Sequence, residues 1–217
     1  MRRRNVRNIE ERINNTNSLL VKNPEELKGN WKNVFENENP IYLEIGMGKG
    51  DFIIEHAKTY PNINFIGLEK YPSVIIQAYD KVSDLELSNL RLISYDADNI
   101  LNLFSEKEID KIFLNFSDPW PKARHAKRRL TNINFLKKYE IILKENGIIE
   151  FKTDNQGLFA YSLMEMNNYP MRFIDLSLDL HNRNKEEYII KTEYEKKFIQ
   201  KNYPICYLKA EFYGRTN

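Results

Sequence analysis

From residue 41 onward the chain alternates short apolar runs with amphipathic stretches. The runs are Ile41–Ile45, Ile63–Leu68, Leu90–Ser94, Ile109–Phe116 and Ile148–Phe151. Between them, helix-like segments cover 51–59, 72–82, 98–105, 132–144 and 156–167. Strand and helix in alternation predict βαβ units and a largely parallel sheet. The C-terminal part breaks this rhythm, with runs at 172–178 and 206–213 and a polar helix-like stretch near 192–201. Two late strands without a clear crossover pattern predict an antiparallel, hairpin-like edge.

Residues 1–40 carry no sustained apolar period and are rich in Asn and charge. They read as an N-terminal arm, with 41–217 as the principal domain. Within the arm, Pro24-Glu25-Glu26 marks a helix start and Gly29-Asn30 a stop. Trp31 and Phe35 stand four apart and are expected to staple the arm to the body.

At 217 residues the chain is long enough for one domain with a real core and short for two. Its 41% hydrophobic and 29% charged residues are ordinary for a globular protein. The net charge is only +2, so affinity for nucleic acid has to come from local clustering of cations. The single Cys206 excludes an internal disulfide, suits a reducing compartment and reads as core. No stretch approaches the ~20 apolar residues of a membrane span. Arg2-Arg3-Arg4 is followed by Asn, Glu and Arg where a signal peptide would be apolar. A cytoplasmic location is the expectation.

Four early strands end at or near an acid: Glu44, Glu69, Asp96 and Asp118. Ligands of open parallel sheets bind beyond the carboxyl ends of the strands, so these acids are expected to line one cleft. The alternative for any one of them, Asp96 above all, is a helix N-cap. Glu44 opens E-I-G-M-G-K-G, with Gly46 and Gly48 in a turn where backbone can approach a ligand. A dinucleotide fingerprint would need a third glycine where Asp51 stands, and a P-loop would need Ser or Thr where Gly50 follows Lys49. Glu44 and Asp51 would also repel a pyrophosphate. A cationic ligand without phosphate fits better, and S-adenosylmethionine carries both a sulfonium and an ammonium. Its ribose diol wants a carboxylate acceptor, which Glu69 is placed to be.

The densest chemistry lies in F-S-D-P-W-P-K-A-R-H-A-K-R-R, from Phe116 to Arg129. Pro119 and Pro121 stiffen the turn and favour extended geometry for the residues before them. Lys122, Arg124, His125, Lys127, Arg128 and Arg129 follow as a cationic run. A solvated helix face is the alternative reading of that run. Its start at the acidic turn favours phosphate contact. Trp120 is a candidate to stack on a displaced base or to anchor the loop.

Taken together, the G-x-G-x-G loop, Glu69 and D-P-W-P-K resemble the bacterial tRNA (guanine-N7)-methyltransferases, over Tyr42 to Tyr213. The resemblance implies a Rossmann-like class I methyltransferase fold: an α/β architecture of seven mostly parallel strands, the last antiparallel, with helices on both faces. It implies S-adenosylmethionine as donor, with Glu44, Gly46, Gly48, Glu69, Asp96 and Asp118 at the donor site. Asp118 would be the catalytic acid, Lys122 a substrate contact, and Arg124 to Arg129 an arm on the RNA. The family's later acid maps to Asp154, and its T-x-x-E segment to Thr192-Glu193-Tyr194-Glu195. The implied substrate is a guanine of the tRNA variable loop, and the chain a monomer or homodimer.

Guanine N7 carries an in-plane lone pair and no proton, so its methylation needs no general base. Rate is then expected from placement, and from a carboxylate near the ring as it gains positive charge. Asp118 is the candidate acceptor for the guanine N1-H and N2-H edge, with Asp154 and Glu195 as further candidates. Arg2 to Arg4 and Arg7 read either as a second RNA contact or as a tail. His56, His125 and His181 are not placed like metal ligands, and no metal requirement is expected. Two competing readings are a methyltransferase acting on an exocyclic amine and a nonenzymatic RNA-binding module. The first wants an Asn/Asp-Pro-Pro-aromatic motif, which Trp120 interrupts; the second predicts loss of the strand-end acids, and all four are present.

Overall fold

The computed structural model describes residues 8–169, 171–183, 190, 195 and 203–213. The chain forms two compact units, Met1–Ser105 and Glu106–Asn217. Eight strands occur among the described residues.

In the first unit the strands are β1 (Leu20–Val21), β2 (Ile41–Ile45), β3 (Asn64–Glu69) and β4 (Leu90–Ser94). They run in the order β1-β4-β3-β2, and every pair is parallel. Helices α3 (Asp51–Thr59) and α4 (Pro72–Val82) make the crossovers. All six residues of β3 are buried, as expected of a parallel strand covered on both faces. Asn89, itself buried, donates to the carbonyls of Ala57, Tyr60 and Ile63, closing the turn that leads into β3.

Two short helices, α1 (Ile9–Asn14) and α2 (Trp31–Phe35), precede the first crossover. Trp31 and Phe35 are buried as the sequence predicts. The Trp31 indole donates to the Leu103 carbonyl at 2.8 Å. Arg91 lies over the Phe35 ring at 5.0 Å and donates to the Val34 carbonyl at 3.0 Å. The helix expected from Pro24 is a 3-10 turn, Pro24–Leu27. The two-residue strand β1 was not foreseen, and it raises the strand number by one above the expected seven.

The second unit holds β5 (Ile109–Asn115), β6 (Leu143–Thr153), β7 (Met171–Ser177) and β8 (Cys206–Phe212), in the order β5-β6-β8-β7. β5 and β6 are parallel, whereas β8 is antiparallel to both β6 and β7. The antiparallel edge is therefore the one expected from the two late apolar runs. Helices α5 (Ile133–Ile142) and α6 (Gln156–Asn168) are N-capped by the side chains of Asn132 and Asn155, which accept from Asn134 and Leu158. α5 ends where β6 begins. Asn146, at φ 63°, carries the Glu145–Gly147 stretch through an irregular part of β6, where pairing jumps from Ile109↔Leu143 to Lys111↔Ile148. The segment expected as a helix over 192–201 lies, but for Glu195, outside the described residues.

Candidate active site

In the first unit, the loop between β2 and α3 is built of left-handed turns. Gly46, Gly48 and Gly50 have φ of 77°, 58° and 75°. The amides of Gly46 and Met47 both donate to the Leu68 carbonyl, at 2.8 and 3.1 Å, which seats the loop on the end of β3. A Cβ added at Gly48 would meet no heavy atom within 4 Å, so the loop faces open space there.

Glu69 closes the same region. One carboxylate oxygen accepts from the Gly48 amide at 3.1 Å and the other from the Tyr71 amide at 3.0 Å. Two backbone donors on a largely buried carboxylate fix its orientation. Glu44, at 2% exposure near the end of β2, pairs in register with Gly67. Asp96 does what its alternative reading asked: it caps the 3-10 turn Ala97–Asn102 by accepting from the Asp98 amide at 3.1 Å. It also pairs with Lys70, whose ammonium it holds above its ordinary pKa. Asp51 is engaged by Lys81, both oxygens at 2.7 Å. An acid-rimmed, glycine-lined loop suits a cationic, diol-bearing ligand. The residues present thus fit S-adenosylmethionine.

In the second unit, Asp118 lies exposed on the loop after β5. Phe116 leaves the strand at φ 49°, its amide still bonded to the Lys152 carbonyl at 2.9 Å. Trp120 has φ of 42°, against the extended geometry expected before Pro121. Left-handed backbone costs an L residue roughly 1–2 kcal/mol, so something must hold it. Arg129 does so, donating from Nε to the Pro119 carbonyl at 3.1 Å and from Nη2 to the Trp120 carbonyl at 2.9 Å.

The basic run forms a 3-10 turn, Ala123–Arg128. Lys122, Arg124, Lys127 and Arg128 are exposed and His125 is half-buried. Arg128 lies 4.9 Å from the centroid of the Trp120 ring, and His125 meets the same ring edge-on at 5.7 Å. Trp120 thus packs within its own loop, as the anchoring alternative requires. Arg129 is turned inward, over the Tyr161 ring at 4.1 Å.

Asp154 is half-buried just after β6. Glu195 is fully buried, and its carboxylate meets the His181 Nε2 at 2.7 Å and the Lys152 ammonium at 3.5 Å. His181, which stands between Leu180 and Asn182 in the sequence, thus has a carboxylate partner 14 positions away. Thr192, Glu193, Tyr194, Arg2, Arg3, Arg4 and Arg7 lie outside the described residues. Lys152, His181 and Tyr161 were missed by sequence reasoning, because each acquires its partner only across the fold. Among the described residues, no group of three or more His, Cys, Asp or Glu side chains could hold a metal ion, and no helix is long and apolar enough to cross a membrane.

A family model described as a putative methyltransferase matches residues 38–208. A tRNA (guanine-N(7)-)-methyltransferase from Bacillus cytotoxicus is 52% identical over 202 residues, covering 93% of this chain and 93% of its own. The chain belongs to the bacterial tRNA (guanine-N7)-methyltransferase family. Among solved structures, a 16S rRNA (adenine(1408)-N(1))-methyltransferase from Catenulisporales acidiphilia, with cosubstrate SAM, superposes with a TM-score of 0.59 at 13% identity, over 89% of this chain and 93% of that one. An antibiotic-resistance methyltransferase gives a TM-score of 0.60 at 12% identity, over 87% and 93% of the two chains. At such identities the likeness is one of fold, and the fold is the Rossmann-like α/β methyltransferase fold.

Proposed function

We propose that this protein transfers the methyl group of S-adenosylmethionine to N7 of a guanine in the variable loop of tRNA, working in the cytoplasm. The observation that carries the reading is the 52% identity to a tRNA (guanine-N(7)-)-methyltransferase over 93% of both chains, which spans the glycine loop and the D-P-W-P-K turn alike. When bound, the donor supplies an electrophilic methyl on a positively charged sulfur. Glu69 accepts the ribose hydroxyls, its orientation set by the Gly48 and Tyr71 amides. Gly46 and Gly48 admit the ligand against the backbone, Glu44 offsets its cationic end, and Asp96 borders the same loops.

Asp118 accepts from the N1-H and N2-H edge of the guanine, which selects guanine over adenine and stabilises the purine as it takes on positive charge. Asp154, half-buried just after β6, is a further acceptor for the same guanine edge. Lys122, Arg124, His125, Lys127 and Arg128 contact the RNA, giving the cation density that the net charge of +2 does not. No residue has to remove a proton from N7.

The test is incubation with labelled donor and unmodified tRNA, followed by nucleoside analysis. Labelled 7-methylguanosine is expected; its absence from a folded, donor-binding protein overturns the assignment, and an N-methylated exocyclic amine would replace it by the competing reaction. Asp118→Asn should lower kcat by about 100-fold, the scale for losing one preorganised electrostatic contact. Full turnover with unchanged base preference would remove Asp118 from that role.

A further inference from the structure

We propose that Arg129 and Tyr161 form a clamp on the Asp118–Pro121 turn, so that Arg129 is a positioning residue and not a phosphate contact. The inference rests on the methyltransferase reading for its kinetic consequence, and on geometry alone for the clamp itself. The guanidinium is a planar fork, and here its Nε and Nη2 serve two successive carbonyls, those of Pro119 and Trp120, at 3.1 and 2.9 Å. These carbonyls flank a residue whose φ of 42° conflicts with its own side chain and with the proline that follows it. Without the fork, that peptide is free to relax toward extended geometry and to carry Asp118, one residue before Pro119, out of position.

The other side of the clamp is fixed to helices. The Tyr161 ring, on α6, lies 4.1 Å from the Arg129 guanidinium carbon and covers one face of it. Its hydroxyl accepts from the Asn132 side chain at 2.7 Å, and Asn132 is the buried N-cap of α5. Glu165, one turn further along α6, accepts from the Ile133 amide at 2.8 Å, which ties the start of α5 to the same helix. The turn is thereby referred to two helices instead of hanging on its own loop. Lys122, Arg124, Lys127 and Arg128 are exposed and Arg129 is not. One cation of the run is therefore committed to shaping the turn and the others remain for RNA.

Lysine separates the two roles, because it keeps the charge a phosphate would need and loses the fork that two carbonyls need. Steady-state kinetics and the salt dependence of tRNA binding are measured for Arg129→Lys, Arg129→Ala, Tyr161→Leu and Tyr161→Phe, with Lys127→Ala for comparison. Arg129→Lys and Tyr161→Leu should both lose kcat by about 10- to 100-fold, the scale for misplacing a reacting group by an ångström. Their affinity for tRNA should stay within about threefold, with an unchanged salt slope. Tyr161→Phe keeps the ring and should retain most of kcat. Lys127→Ala should flatten the slope by about 0.7–0.9, one phosphate's share.

Wild-type kcat in Arg129→Lys, or a slope in Arg129→Ala flattened like that of Lys127→Ala, overturns the clamp. A readout free of activity keeps the two proposals apart. Amide hydrogen exchange over Phe116–Lys122 should quicken in Arg129→Lys and Tyr161→Leu, and unchanged exchange refutes the clamp. If the wild-type protein makes no 7-methylguanosine while exchange quickens, the clamp stands and the assigned reaction fails. Should Arg129→Ala not fold, Arg129→Lys and Tyr161→Leu carry the test.

Discussion

Replacing Gly48 by alanine separates what the glycine loop contributes to stability from what it contributes to donor binding. Gly48 has φ of 58°, and the Cβ of an alanine there would meet nothing within 4 Å. The folded state therefore suffers no clash, only left-handed backbone at about 1–2 kcal/mol. Alanine also restricts the unfolded chain, which returns about 0.4–1 kcal/mol. A net loss of about 1 kcal/mol lowers Tm by roughly 2–4 °C in a chain of this size. The new methyl would occupy the open space facing the loop, where the donor is proposed to lie. Affinity for S-adenosylmethionine or S-adenosylhomocysteine should then fall by at least about tenfold, or roughly 1.4 kcal/mol.

Gly50→Ala is the control. Its φ of 75° imposes the same backbone cost, but its Cβ would sit 3.1 Å from the Ala78 Cβ and 3.2 Å from the Ile54 Cδ1. Crowding of that kind adds about 1–3 kcal/mol, so this variant should be the less stable of the two while its folded fraction binds donor nearly as before. Thermal denaturation and isothermal titration calorimetry give both numbers on the same samples. A Gly48→Ala protein with the modest fall in Tm and an unchanged donor Kd would refute the placement of the donor against this loop.

Other outcomes follow from the second unit. Glu195→Gln removes the buried carboxylate that faces the Lys152 ammonium, whose side chain is only 5% exposed, and should cost about 3–5 kcal/mol in urea unfolding. Adding Lys152→Met should recover much of that loss, and a Glu195→Gln protein as stable as the parent but inactive would move this carboxylate from the core to the guanine edge. Cys206 is buried, and burial pushes its thiol above the ordinary pKa, so the reactive thiolate is scarce near neutrality. Ellman's reagent should find no thiol in the native protein and the single one after denaturation, and a rapid native reaction would contradict the burial.

Much of the layout was legible because it depends on short-range rules. Ile41–Ile45 and Leu90–Ser94 are strands with the bounds the apolar runs suggest, and Asp51–Thr59 and Pro72–Val82 are helices with theirs. Burial on one face leaves a periodic trace in the sequence, and Pro72 marks a helix start by its fixed φ. β1 left no such trace, since Leu20–Val21 is too short to show a period and owes its existence to the exposed edge of β4. The helix expected over 98–105 is a kinked 3-10 turn over Ala97–Asn102, with Asn99 at φ −108°, following the cap made by Asp96.

The same division runs through the site. Residue types and their order determined the acids at the strand ends, the glycine turn beside Glu69, and the cations after Asp118. Charge and φ preference belong to single residues and their neighbours, so the sequence carries them without help. Partnership does not. Arg129 reads as one cation among six, yet it bonds the carbonyls of Pro119 and Trp120 and rests on Tyr161. Glu195 reads as a candidate for the base, yet it lies buried against Lys152, 43 positions away, and His181. Which donor meets which acceptor is settled only when distant segments pack, because a buried charge takes whatever partner the closed fold brings within reach.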